Sequence, residues 1–185
     1  MSWFQPEARV SHTLVERTGL PLTTPIIDVG GGASVLASEL LDMGYADVTV
    51  LDISAAALAA ARAGMGDRAD AVTWIEADIL EARLADAHYG LWHDRAAFHF
   101  LTDPADRARY REKLEAGLRP GGYAIVATFA ADGPQQCSGL NIVRYSPEAL
   151  AAELGPSFRL IASDRDEHRT PAGAVQPFTY GLFRR

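Results

Sequence analysis

The chain has 185 residues, 48% of them hydrophobic and 22% charged, with a formal net charge of −7. That length and balance give one domain with a core of ordinary size and exclude a disordered chain. A single cysteine, Cys137, excludes a disulfide framework and a cysteine-cluster zinc site, so no metal is expected.

The net negative charge argues against nucleic acid as a partner, because such binding depends on neutralising phosphates. The basic residues between Arg107 and Arg119 alternate with acids on one predicted helix and read as a solvated face. The longest apolar run, residues 55–61, falls far short of the ~20 residues that span a bilayer. The first six residues carry neither a basic nor an apolar leader. A cytoplasmic protein without a membrane partner is therefore expected.

In chain order, Val10, Leu14 and Val15 followed by Gly19 predict a helix over residues 6–17. Pro25-Ile26-Ile27-Asp28-Val29 running into Gly30-Gly31-Gly32 reads as a buried strand entering a tight turn. A helix from Ser34, its N-cap, to Gly44 precedes a strand over residues 48–51, an Ala-rich helix over 54–63 and a third strand over 72–77. Residues 89–93 form a fourth strand, and Asp103-Pro104 starts a helix that ends near Leu118. Pro120-Gly121-Gly122 turns the chain into a strand over residues 123–129, and residues 131–140 read as a long loop. Ser146-Pro147 opens a helix that stops near Gly155, and strands over 158–163 and 178–183 close the chain as an antiparallel hairpin. Strands separated by helices of about 10–15 residues imply right-handed crossovers. The expected fold is a single α/β domain over residues 1–185, doubly wound around a mostly parallel sheet.

Such sheets bind ligands beyond the carboxyl ends of their strands. There, Gly30, Gly31 and Gly32 allow a sharp turn and a close backbone approach, and the next helix offers free N–H groups. A dinucleotide fingerprint would place a small residue three positions after Gly32; Val35 stands there, which weakens a nicotinamide reading. Asp52 ends the second strand 22 residues after Gly30, where a carboxylate accepts two hydrogen bonds from a ribose diol; the alternative is a cap for the helix at Ser54. Asp78 follows the third strand, placed for an adenine amino group or as a cap for the turn at Ile79.

Four segments in this order and at these intervals resemble class I S-adenosylmethionine (SAM)-dependent methyltransferases: Ile26-Ile27-Asp28-Val29-Gly30-Gly31-Gly32, Val50-Leu51-Asp52-Ile53-Ser54, Ala77-Asp78-Ile79-Leu80 and Leu118-Arg119-Pro120-Gly121-Gly122. The resemblance runs from about Pro25 to the C-terminus. It implies a seven-stranded sheet with the last strand antiparallel, SAM as cofactor and S-adenosylhomocysteine (SAH) as product. By the same resemblance the glycine corner, with Asp28, holds the methionine and ribose, Asp52 the ribose hydroxyls, and Asp78 and Ile79 the adenine, with Ile53 packed on its face. Leu91-Trp92-His93-Asp94-Arg95-Ala96, Tyr145-Ser146-Pro147-Glu148-Ala149-Leu150 and Glu167-His168-Arg169 are similar to thiopurine-type S-methyltransferases, and Asp94-Arg95 to a branch of protein-lysine methyltransferases. Relatives of that branch carry a further N-terminal helix, which would leave residues 1–19 as a shortened lid.

Methyl transfer from a sulfonium is an in-line displacement. The protein must align the acceptor, exclude water and, for a protonated nucleophile, supply a base. His93 and Asp94 end the fourth strand as candidates, with His99 an alternative base; the competing readings are an Asp94–Arg95 ion pair and a core histidine. Trp3 and Phe4 would wall the methyl site or staple the first helix, and Arg169 would bind an anionic substrate if the polar turn over residues 164–170 folds across the cleft. Cys137 reads as a bystander in its loop. The expected function is methyl transfer to a thiol or heteroatom of a small soluble molecule. A protein-lysine substrate and a non-catalytic SAM- or SAH-binding module are the alternatives.

Overall fold

The computed structural model describes residues 7–170 and 173–185. Helix α1 (Arg9–Thr18) leads into β1 (Ile26–Val29), α2 (Leu36–Asp42), β2 (Val48–Asp52), α3 (Ala55–Met65) and β3 (Val72–Glu76). Then come β4 (Tyr89–Arg95), α4 (Pro104–Gly117), β5 (Leu118–Phe129), the short strands β6 (Gln136–Cys137) and β7 (Leu140–Asn141), α5 (Pro147–Leu154), β8 (Arg159–Arg169) and β9 (Val175–Arg184). Local chemistry starts α3, α4 and α5 where the sequence places them. The Ser54 hydroxyl accepts from the Ala57 N–H at 3.2 Å, Asp103 from Ala105 at 2.8 Å and Ser146 from Ala149 at 3.2 Å; Pro104 and Pro147 fill first-turn positions that need no donor.

Seven strands form one sheet in the order β3-β2-β1-β4-β5-β9-β8. Strands β1 to β5 pair in parallel, and β9 enters between β5 and β8 antiparallel to both. This is the doubly wound, mostly parallel sheet with a reversed last strand that the sequence implied. Helices cover both faces. Ile26, Val50 and Leu91 pack with Leu14, Leu36 and Leu58 from α1, α2 and α3; Ile27, Trp92 and Val126 pack with Tyr110 and Leu114 of α4 and Leu150 of α5.

Three details differ from the expectation. The polar residues 164–169 are not a turn but the second half of β8, paired with β9 as far as Arg169 opposite Val175. An edge strand has one free side and mostly exposed side chains, so its composition resembles that of a turn. The Pro120-Gly121-Gly122 segment lies inside β5 as an irregularity, with Gly121 at φ +75°, and is not a turn before the strand. The loop over residues 131–140 contains the β6–β7 hairpin, whose tip places Ser138 and Gly139 at φ +51° and +81°. No helix among the described residues is long and apolar enough to cross a membrane.

Candidate cofactor and acceptor site

A cavity of about 860 Å³ opens at the carboxyl ends of β1, β2 and β4. It is lined by Asp52, Ile53, Asp78, Ile79 and Leu80 from the segments that follow β2 and β3, and by Arg95, Phe100, Cys137, Leu140 and Asn141 from the end of β4 and the segments after it. Ile53 is 69% exposed, an apolar surface with no protein cover. Beside Gly30 and Gly31 lies a second, much smaller space of about 30 Å³, bordered also by Asp28, Ser11, His93 and Arg95.

The glycine corner is built by exclusion. Gly30 adopts φ +72°, where a side chain is strained, and an added Cβ would stand 2.8 Å from the Ala97 Cβ. A Cβ on Gly31 would run into the Asp28 carboxylate, and one on Gly32 would lie 2.6 Å from Asp52 Oδ2 and 2.9 Å from the Ala57 Cβ. Gly31→Ala is accordingly expected to destabilise the fold by about 1–3 kcal/mol, the usual cost of overpacking. The displaced Asp28 carboxylate would weaken SAH binding as well. Urea unfolding and titration calorimetry on the same sample check both effects.

Asp52 bridges the corner. Its Oδ2 accepts from the Gly32 N–H at 2.9 Å and its Oδ1 from the Ser54 N–H at 2.8 Å. Asp78 Oδ1 accepts from the Leu80 N–H at 2.9 Å, so Asp78 caps the following turn and also lines the cavity. Ser34, expected as the N-cap of the second helix, stands one residue too early: α2 begins at Leu36 with Val35 at the cap, and the Ser34 hydroxyl accepts from the Leu36 N–H at 3.0 Å from the turn before it.

Strand alternation separates the residues proposed at the end of β4, because successive side chains point to opposite faces. His93 faces α1: Nδ1 lies 2.7 Å from Asp28 Oδ1, and Nε2 lies 2.8 Å from Ser11 Oγ. Asp94 faces α4, is fully buried and borders neither space. Its carboxyl group accepts from Ala97 N–H at 2.9 Å, from Phe98 N–H at 3.1 Å and from the Tyr110 hydroxyl at 2.6 Å, while Trp92 Nε1 donates to that hydroxyl at 3.0 Å. Burial pushes the Asp94 carboxyl up to about 6, against the lowering effect of the Tyr110 and backbone hydrogen bonds and of nearby His93. Asp94 thus lies outside both spaces, where it ties the end of β4 to α4.

His99 is likewise a core residue. Its Nδ1 accepts from the Phe129 N–H at 3.3 Å, its ring packs edge-on against Phe100 and Phe129, and burial, with the Arg95 charge, holds its pKa down to about 3. It borders neither space and stays neutral. Arg169 ends β8 with an exposed side chain and lines neither space. Trp3 and Phe4 lie outside the described residues.

Several lining residues were missed by sequence reasoning. Arg95 borders both spaces, with its guanidinium 4.3 Å from the Phe178 ring centre and its Nε donating to the Tyr180 hydroxyl at 2.9 Å. Cys137 is 1% exposed and faces the cavity from the β6–β7 hairpin; burial pushes its thiol pKa up, so it is not a thiolate. Ser11 left one signal: a polar residue on the face that α1 otherwise buries through Val10, Leu14 and Val15.

The strand order, the reversed last strand, the glycine corner and the carboxylates ending β2 and β3 together define a class I methyltransferase fold. A family model described as a methyltransferase domain matches residues 26–122, more than half of the chain, and the chain belongs to that family. Uncharacterized methyltransferases of Mycobacterium bovis and Mycobacterium tuberculosis are 32% identical to it over 111 residues, 60% of this chain and 53% of theirs. The chain thus spans about half the length of the curated relatives it matches.

Among solved structures, a Burkholderia thailandensis 1,6-didemethyltoxoflavin-N1-methyltransferase with bound SAH is 21% identical, with a TM-score of 0.76 over 96% of this chain and 77% of that one. The glycopeptide N-methyltransferase MtfA, complexed with SAH, is 19% identical, with a TM-score of 0.68 over 95% and 88%. The [4+2]-cyclase SpnF is 18% identical, with a TM-score of 0.76 over 96% and 80%. These likenesses are of fold, and they span more than one reaction.

Proposed function

We propose that the chain binds SAM in the larger cavity and transfers its methyl group to a thiol or heteroatom of a small-molecule acceptor. The observation that carries this reading is the cavity's lining, with Asp52, Asp78 and bare apolar surface from the segments that follow β2 and β3, and Arg95, Phe100, Cys137 and Asn141 from the end of β4 and the segments after it.

The residues present fit the cofactor. An ionised carboxylate offers about four acceptor sites; Asp52 uses one on each oxygen for backbone, which leaves capacity for two ribose hydroxyls. Asp78 retains acceptor capacity for an adenine amino group, and Ile53 and Ile79 supply apolar faces for the base. Asp28 Oδ2 is buried and unpartnered at the glycine corner, an acceptor suited to the cofactor's ammonium group. When bound, SAM supplies a methyl group already activated on sulfur. The chain's part is alignment, bringing the acceptor to about 3–3.5 Å from that carbon, and exclusion of water.

Neither His93 nor His99 lines the larger cavity, so no imidazole base stands there among the described residues. The titratable groups that do line it are Asp52, Asp78, Asp106, Arg95 and Cys137; an acceptor that arrives as a nucleophile, a thiol ionised in solution or a heteroatom with a free lone pair, needs none of them as a base.

Two measurements test the reading. Titration calorimetry is expected to show SAH binding, and no binding at millimolar SAH would end the proposal. Transfer of tritiated methyl from SAM into a cell lysate is expected to label the small-molecule fraction. Label confined to a protein band would instead support side-chain methylation, and SAH binding without transfer to either fraction would support a non-catalytic module.

A further inference from the structure

We propose that Ser11 and His93 are positioning residues that aim the Asp28 carboxylate at the cofactor's ammonium group, and so couple the docking of α1 to cofactor binding. The inference rests on the reading of Asp28 given above. Asp28 and His93 stand opposite each other in the β1–β4 register, and Ser11 reaches them from α1. All three are at most 2% exposed. An ionised Asp28 accepts only, so His93 Nδ1 is the donor in the 2.7 Å contact; in the tautomer that carries its proton on Nδ1, Nε2 accepts from the Ser11 hydroxyl at 2.8 Å.

Two consequences follow from that order of donors. With Oδ1 engaged by the ring, the carboxylate plane is set and Oδ2 is left as the buried acceptor without a partner. It stands where a side chain on Gly31 would stand, beside a space of about 30 Å³ that admits a water or a group of similar size. The Asp–His–Ser sequence is also that of a hydrolytic triad, but a space of this size admits no acyl substrate. The hydroxyl therefore serves as an orienting donor. Because it comes from α1, the ring is oriented only while α1 is docked; by reciprocity, a ligand that needs the oriented carboxylate stabilises the docked helix.

The test uses the intact chain and two probes, SAH and 5′-methylthioadenosine, which keeps the nucleoside but lacks the amino-acid portion. Ser11→Ala replaces a helix residue with a better helix former. It is expected to weaken SAH binding about tenfold, the effect of one lost hydrogen bond next to a charge, and to leave 5′-methylthioadenosine binding unchanged. SAH should slow amide exchange in α1 of the wild type and not in the variant. Unchanged SAH affinity in Ser11→Ala, equal weakening of both probes, or persistent protection of α1 would each overturn the proposal in favour of a purely structural serine. If wild-type protein binds SAH no more tightly than 5′-methylthioadenosine, the underlying assignment of Asp28 fails instead.

Discussion

Asp52→Ala is expected to weaken SAH binding by about 10²–10³-fold. Two hydroxyl-to-carboxylate hydrogen bonds at roughly 1.5–3 kcal/mol each would be lost, discounted for the water that replaces them. The same side chain also holds the corner itself, through Gly32 and Ser54. With Ala at this position both N–H groups lose their acceptor, and the glycine turn loses its tie to the end of β2. Asp52→Asn keeps the size but replaces one acceptor with a donor that faces an N–H group, so its affinity should fall between the two. Helix α3 should survive both changes because Ser54 caps it independently. Calorimetric titration with SAH checks the series; an Asp52→Ala protein that binds within a few-fold of wild type would place the ribose elsewhere.

The second large effect concerns stability. Asp94→Ala should cost about 3–5 kcal/mol, because two backbone N–H groups and the Tyr110 hydroxyl lose their acceptor inside the core. Asp94→Asn retains one acceptor and should fold, with SAH affinity close to wild type, since the side chain does not reach the cavity.

The pH dependence gives this prediction a sign. With Asp94 held near 6 in the folded protein and about 3.8 when unfolded, the native state keeps its proton where the unfolded chain has released it. The contribution of this group is therefore full below pH 4 and falls by about 3 kcal/mol as pH rises through 6. His99 acts in the opposite direction: held near 3 when folded, it makes the protein gain stability as pH rises from about 3 to 6.5. The difference between wild type and Asp94→Asn isolates the effect of Asp94. Urea unfolding from pH 4 to 7 should show the wild type losing stability relative to the variant over that range. A parallel pair of curves would mean that Asp94 is ionised throughout.

The contrast between Asp52 and Asp94 shows what kind of information a sequence carries. Asp52 could be placed because its neighbours in the chain define it: an apolar strand ends there, a capped helix begins two residues later, and a glycine turn precedes it at a regular interval. The Asp78 turn and the three capped helices were legible for the same reason. Composition misled at β8, where an edge strand carries the polar residues of a turn, and in the segment after β5, where a four-residue ladder is too short to leave a period.

Strand alternation alone puts His93 and Asp94 on opposite faces, yet it does not say which face meets the cavity or which helix covers each. Those choices depend on partners far along the chain, Ser11 for one and Tyr110 for the other, 82 and 16 residues away. The sequence by itself determined the layered α/β fold, the glycine corner and the acid at the end of β2, because turns, caps and period are set by adjacent residues. Tertiary structure alone decided that Asp94 and His99 are buried ties, that Arg169 stands apart from the site, and that Arg95, Cys137 and Asn141 line it. Packing two helical layers on one sheet brings together side chains whose separation along the chain carries no local signal.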